Sequence, residues 1–215
     1  MLIAYSYLLI ACAFCVLLGY GLGRYSTTSF QNRGEALVSK AIQAAFAPPD
    51  FHLLNHITLQ LEDGTTQVDH ILVSKFGVFV IETKDYQGWI FANAKQKNWT
   101  QVMFGRKFKF QNPIFQNMRH MQAVEKLLDF LPPSAIKSVV VFVGKAEFKT
   151  EKPQGVFGIA ELIKYLQGHT EDVMSLNRVQ FCVGRIETTR LAVTGQTDLA
   201  HVQSLERRHG PKKSN

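Results

Sequence analysis

The chain has 215 residues, 46% of them apolar and 19% charged, with 24 Lys and Arg against 17 Asp and Glu. That length supports one ordinary domain plus an appendage. Three Cys exclude a disulfide scaffold, no zinc-type CxxC…CxxC or CxxC…HxxxH pattern occurs, and Pro and Gly are too few for a fibrous or disordered class.

Met1 to Gly23 carries no Asp, Glu, Lys, Arg or His. As a helix rising ~1.5 Å per residue it reaches about 34 Å, enough for a hydrocarbon core of about 30 Å. Tyr5 and Tyr7 near one end, and Tyr20 and Tyr25 near the other, fit interfacial aromatic belts. Arg24, Arg33 and Lys40 follow the span and only the α-amino group is positive before it. The positive-inside rule therefore predicts a retained single-pass anchor over residues 1–24 in the cell (inner) membrane, with the rest of the chain in the cytoplasm. The rival is a cleaved signal peptide, which wants a basic leader and a small-x-small cleavage site; the residues supply neither. Cys12 and Cys15 are read as lipid-facing, and Cys182 as a reduced core thiol.

Residues 25–31 form a short polar linker. Asn32 and Glu35 have capping-box spacing and open a helix reaching about Phe46, where Pro48 and Pro49 end it. Strand patterns follow at Phe51 to Leu61, Thr65 to Ser74 and Val78 to Lys84. Ile90 to Phe110 reads as one or two further hairpin strands turning at Gly105-Arg106. Asn112-Pro113 supplies a cap and a first-turn proline for a helix reaching Leu131. Ser138 to Gly144 is apolar enough for a strand buried on both faces. A short helix at Ile159 to Gln167, a strand at Val179 to Val183, a terminal helix at Thr197 to Arg208 and a basic tail over 209–215 complete the order. This is an α/β pattern with a mixed sheet, its core in residues 32–145 and its completing elements in 146–208.

The chemistry concentrates in the hairpin from Gln67 to Lys84. Glu82 and Lys84 are two apart on one strand and share a face. An even turn pairing Ser74 with Gly77 sets Asp69 opposite Glu82 and Gln67 opposite Lys84; a bulge at Gly77 puts His70 opposite Glu82 instead. Two carboxylates at cross-strand distance repel, and a hard divalent cation is their natural partner. Mg²⁺, or Mn²⁺ in its place, takes one or two carboxylates together with waters and phosphate oxygens. A neighbouring lysine can serve the attacking water and the charge developing on phosphorus. The plainer alternative is an exposed Glu82–Lys84 ion pair worth under ~1 kcal/mol.

The spacing D(x12)ExK behind a helix bearing Glu35 resembles the PD-(D/E)xK nuclease superfamily. The longer run GE…QVDHILVSKFGVFVIETKDYQGWI…W…NPIFQN, between Gly34 and Leu131, is similar to the nuclease-related domain (NERD) family. The resemblance implies a restriction-endonuclease-like αβββαβ core, with Asp69 and Glu82 as metal ligands, Lys84 as catalytic lysine and Glu35 as a further acid. Gln116 and Asn117 match the family's NPxxQN run, where they would position phosphate or metal; first-turn structural roles are the alternative. Position 68 is Val where the superfamily motif nominally has Pro. His70 and His120 are read as an ordinary strand histidine and an exposed helix histidine.

Eight Lys and Arg lie between Lys84 and Lys126 against Asp85 and Glu125, so +6 of the net charge of +7 falls in a fifth of the chain. Lys95, Lys97, Arg106, Lys107 and Lys109 are the candidate phosphate contacts, with Gln67 beside the hairpin. Alternation over Phe104 to Phe110 puts lysines on one face and phenylalanines on the other, and the interleaved aromatics are read as core. The expected partner is nucleic acid, DNA ahead of RNA, with anionic lipid as an alternative for the same charges. No motif points to a partner protein. A membrane-anchored, metal-dependent nuclease-like protein is the leading expectation, and a non-catalytic membrane tether of the same fold is its rival.

Overall fold

The computed structural model describes residues 32–192 together with Thr197, His201 and Gln203. The expected anchor, the linker, the 209–215 tail and most of the expected terminal helix lie outside the described residues. Among the described residues no helix is long and apolar enough to cross a membrane.

Helix α1 (Arg33–Ala45) leads into strands β1 (Phe51–Leu61), β2 (Gly64–Ser74) and β3 (Gly77–Asp85). Three short strands follow: β4 (Gly88–Phe91), β5 (Asn98–Met103) and β6 (Arg106–Gln111). Helix α2 (Pro113–Leu127) and β7 (Ile136–Val143) come next, then β8 (Ala146–Phe148), β9 (Val156–Gly158), α3 (Ile159–Gln167) and α4 (Leu176–Thr189). The expected αβββαβ order is present, interrupted between β3 and α2 by the β4–β6 insertion. β1, β2, β3, β7 and β9 form one mixed sheet in that order, antiparallel up to β3 and parallel beyond it. β6, β5, β4 and β8 form a second mixed sheet.

Alternation along β3 sorts the layers. Val78 and Val80 pack with Ala123, Val124 and Leu128 on the α2 side, where Val179, Cys182 and Ile186 of α4 join them. Phe79 and Ile81 pack with Val38 and Ile42 of α1 and Leu162 and Leu166 of α3. On β7, Val139, Val141 and Val143 share that second core, while Val140 and Phe142 pack against Ile90 and Trp99 of the small sheet. The run expected to be buried on both faces therefore is.

Three expectations change. Val179 to Val183 lies inside α4, not in a strand: Ser175 caps the helix through the Arg178 N–H, and the buried Val179, Cys182 and Ile186 follow helical spacing while Phe181 is exposed. The β-rich composition of VQFCV misled because burial there has period 3.6. The β5–β6 turn is Phe104-Gly105, both with positive φ, as a two-residue hairpin turn requires. Helix α2 ends at Leu127, short of the expected Leu131.

Candidate functional site

The β2–β3 hairpin has the even register, with Ser74 paired to Gly77, Val73 to Val78 and Ile71 to Val80. Pairing ends at His70↔Ile81. On the other side, β1 pairs Asn55 with His70 and Ile57 with Val68 but skips His56 and Asp69 between them, and His56 has φ 55°. Leu54 and Ile57 are three apart, as are Val68 and Ile71, yet all four face the same core. Strict alternation forbids that, so both strands turn over at His56 and Asp69. Released from the ladder, the Asp69 carboxylate turns to β3 and accepts the Thr83 N–H through Oδ2 at 2.7 Å. Local breaks in pairing commonly re-aim a side chain in this way.

Glu82 continues the Val78–Val80 face and is 2% exposed. Lys84 Nζ donates to its Oε1 at 2.5 Å, and His120 Nε2 lies 3.1 Å from its Oε2. Thr66 Oγ1 meets the other nitrogen of His120 at 2.7 Å. Lys84 also donates to Gln116 Oε1 at 3.0 Å. Gln116 and His120 are i, i+4 on α2, so one helix face delivers both.

The two acids titrate in opposite directions. Burial pushes Asp69 well above the usual carboxylate range, Glu82 and Glu35 push it further, and the Thr83 N–H and Lys84 oppose them less strongly. Burial would raise Glu82 as well, but Lys84 and His120 hold it below its ordinary value. Burial works against the Lys84 ammonium, yet Glu82 holds its pKa above the ordinary lysine value. The site thus sets an Asp69 that holds its proton more firmly than an ordinary carboxylate beside an ionised Glu82–Lys84 pair.

Glu35, in the first turn of α1, is buried and close enough to raise Asp69. Asn117 is fully buried below the site, its Nδ2 donating to the backbone oxygens of Val80 and Val139 and to Ser138 Oγ at 2.8–2.9 Å. It fastens α2 to β3 and β7, which is the structural alternative for this residue. The structure thus gathers Glu35, Asp69, Glu82, Lys84 and Gln116. It turns Gln67 toward β1, where its Nε2 contacts His56 Nε2 and Thr58 Oγ1. His120, expected to be exposed, is 5% exposed and holds Glu82. The Gln116-x-x-x-His120 spacing carried that signal; Thr66 carried none.

Lys107 and Lys109 sit on one face of edge strand β6, Arg106 and Phe108 on the other, and Lys95 and Lys97 in the turn before β5. All five cations are exposed, and among the described residues none has a carboxylate within ion-pair distance. Lys126, Arg119 and Lys152 elsewhere are paired. The aromatics divide: Trp99 and Phe110 pack inward, whereas Trp89 and Phe91 are 49% and 40% exposed.

Residues 31–143 match the sequence model of the nuclease-related domain. An uncharacterised protein of Bacillus anthracis is 36% identical over 152 residues, spanning 68% of this chain and 70% of that protein. No solved structure matches the chain.

Proposed function

Since the chain belongs to the nuclease-related domain family, we propose that it is a Mg²⁺-dependent nuclease hydrolysing phosphodiester bonds in DNA, held at the cell (inner) membrane by residues 1–23 with its domain in the cytoplasm. One observation carries the reading: Asp69, Glu82 and Lys84 converge in a buried cluster with more acid than its surroundings neutralise.

The donor set fits the cation. Among the described residues no three His, Cys, Asp or Glu form a ready-made metal cage, but Mg²⁺ asks only for one or two carboxylates beside waters and phosphate oxygens. Asp69 and Glu82 offer hard oxygen donors, and a cation there would offset the burial and the repulsion from Glu82 and Glu35 that raise Asp69. Mg²⁺, or Mn²⁺ in its place, would supply polarisation of phosphate and activation of water. Lys84 remains an ammonium at neutral pH, so its part is donation to the charge developing on phosphate oxygens rather than proton abstraction. Gln116 aims that ammonium, and His120, fixed by Thr66, sets the plane of the Glu82 carboxylate. Glu35 adds negative charge beside Asp69.

Linear, circular and single-stranded DNA incubated with Mg²⁺, Mn²⁺ or EDTA tests the reading. Cleavage is expected only with metal, and is lost at least ~100-fold in Lys84→Ala and Asp69→Ala while DNA binding persists. Unchanged cleavage in Asp69→Ala overturns the site. DNA binding without turnover under every metal overturns the enzyme in favour of a membrane tether.

A further inference from the structure

The small sheet packs one face on β7, with Arg106 and Phe108 reaching past that contact into solvent, and leaves rings and lysines exposed on the other face. Ile90, Trp99, Phe110 and Phe148 point inward against Val140 and Phe142. By the two-residue period the other face carries Trp89 and Phe91 from β4, Val102 and Thr100 from β5, and Lys107 and Lys109 from β6. The register aligns them in two rows, Trp89–Val102–Lys107 and Phe91–Thr100–Lys109. Each row runs from an exposed aromatic ring to an exposed, unpaired lysine. Glu147, beside Trp89 on β8, is neutralised by Lys149, whose Nζ also lies 4.9 Å from the centre of the Trp89 ring.

We propose that this outer face binds single-stranded nucleic acid, with Trp89 and Phe91 stacking successive bases and Lys107 and Lys109 holding the phosphates. The inference deepens the nuclease reading, on which it rests for the class of polymer, by naming the strandedness of its substrate. Rings two residues apart along a strand are about 7 Å apart, room for one base each, and a base on Trp89 takes the free part of a ring that Lys149 already lies over. A lysine two strands away lies about 10 Å across the sheet. Stacking accepts any base, and lysines track phosphate without reading sequence. A duplex presents no free base face to these rings, so the aromatic half of each row works only on single strands. A bilayer contact fits less well: the rings lie on β4, flanked by β5 and β8, not on a protruding edge. The face is also continuous in sequence with the site, since β6 runs through Asn112 into α2 and Gln116.

The full chain in neutral detergent with EDTA provides the test, because binding without metal separates this inference from catalysis. The chain has two tryptophans, and Trp99 is 1% exposed, so quenching on titration reports Trp89. Oligo-dT is expected to bind more tightly than a duplex of equal length and to quench the emission. Trp89→Ala and Phe91→Ala should each weaken oligo-dT binding by about 5- to 150-fold, and Trp89→Phe should keep binding while losing the quench. Lys107→Gln with Lys109→Gln should reduce the slope of log affinity against log salt by about 1.4. Equal binding of duplex and oligo-dT, or unchanged oligo-dT affinity in both alanine variants, overturns the inference. Quenching by phosphatidylglycerol vesicles and not by oligo-dT also overturns it, and assigns the face to lipid. Metal-dependent duplex cleavage alongside any of these results would leave the nuclease reading standing.

Discussion

His70 offers a prediction that depends on no assumption about activity. Its ring is fully buried between β2 and α1, Nδ1 lies 2.8 Å from Asn55 Oδ1, and Nε2 has no partner. Asn55 Oδ1 can only accept, and already accepts the Ser39 hydroxyl, so Nδ1 carries the proton and Nε2 is left with a buried lone pair that no donor meets. Burial therefore lowers the His70 pKa from 6.5 to about 4, against a smaller attraction from Glu82. Above pH 6.5 the ring is neutral in both folded and unfolded chains, and stability does not depend on it. As pH falls from 6.5 to about 4 the unfolded chain takes up a proton that the folded chain refuses, so folding weakens by about 1.4 kcal/mol per pH unit, roughly 3 kcal/mol in all. Asp69 acts with the opposite sign: its raised pKa makes the folded chain the better proton acceptor above the ordinary carboxylate value. The measurement is thus a difference, urea unfolding of the wild type and His70→Phe at pH 7.5, 6.5, 5.5 and 4.5. The planar replacement leaves Asn55 its Ser39 donor, and the stability gap between the two proteins should shift by about 2.5 kcal/mol in favour of the variant between pH 7.5 and 4.5. A gap that stays constant within ~0.5 kcal/mol refutes the neutral buried imidazole.

Other substitutions separate scaffold from site. Asn117→Ala removes the donor shared by two buried carbonyls and the half-buried Ser138 hydroxyl and should cost about 3 kcal/mol in chemical denaturation. Gln116→Ala should leave the unfolding midpoint nearly unchanged and lower cleavage, since its amide oxygen serves only to aim Lys84. His120→Ala should raise the Mg²⁺ concentration for half-maximal cleavage about 10- to 100-fold with DNA affinity intact, because it acts through the Glu82 carboxylate. Gly88→Ala should destabilise the small sheet by at least ~2 kcal/mol: φ is +79°, and an added Cβ would clash with the Val102 carbonyl oxygen.

The layers were legible in the sequence wherever burial follows a period. β1, β2, β3 and β7 announce themselves through β-branched runs and turn residues, and the ExK pair is visible because two residues on one strand share a face. Asn112-Pro113 marks the start of α2 by a mechanism, and the structure uses it: Asn112 Oδ1 accepts the Ile114 N–H. α4 was not legible as a helix because most of its apolar residues (Val179, Phe181, Val183 and Ile186) are β-branched or aromatic, and only the spacing of Val179, Cys182 and Ile186 distinguishes helix from strand. The sorting of the aromatics was equally hidden: whether Trp89 or Trp99 points inward depends on which face of the insertion meets β7, a long-range fact.

Asp69 shows how far pattern reading reaches and why it stops. Counting from the turn left two registers open, and the even one, which the hairpin adopts, gave by extrapolation an Asp69–Glu82 cross-strand pair on one face. Extrapolation assumes that every residue keeps its side, and the positive φ of His56 breaks that assumption at the neighbouring position on β1. A flat pair would have set both acids beneath α2. The turnover instead lets Asp69 leave that face while Glu82 stays on it, so Asp69 feels Glu82 from the α2 side and Glu35 from the α1 side together. One acid thereby couples two layers that the sheet otherwise separates, and the cluster forms where β3 runs out of antiparallel partner and its Thr83 N–H is free to be claimed. Restoring regular pairing, with His56→Val to disfavour the left-handed residue and Asp69→Val to return the strand to apolar alternation, should raise the urea unfolding midpoint and abolish metal-dependent cleavage together, as expected when local irregularity is kept for chemistry and not for folding.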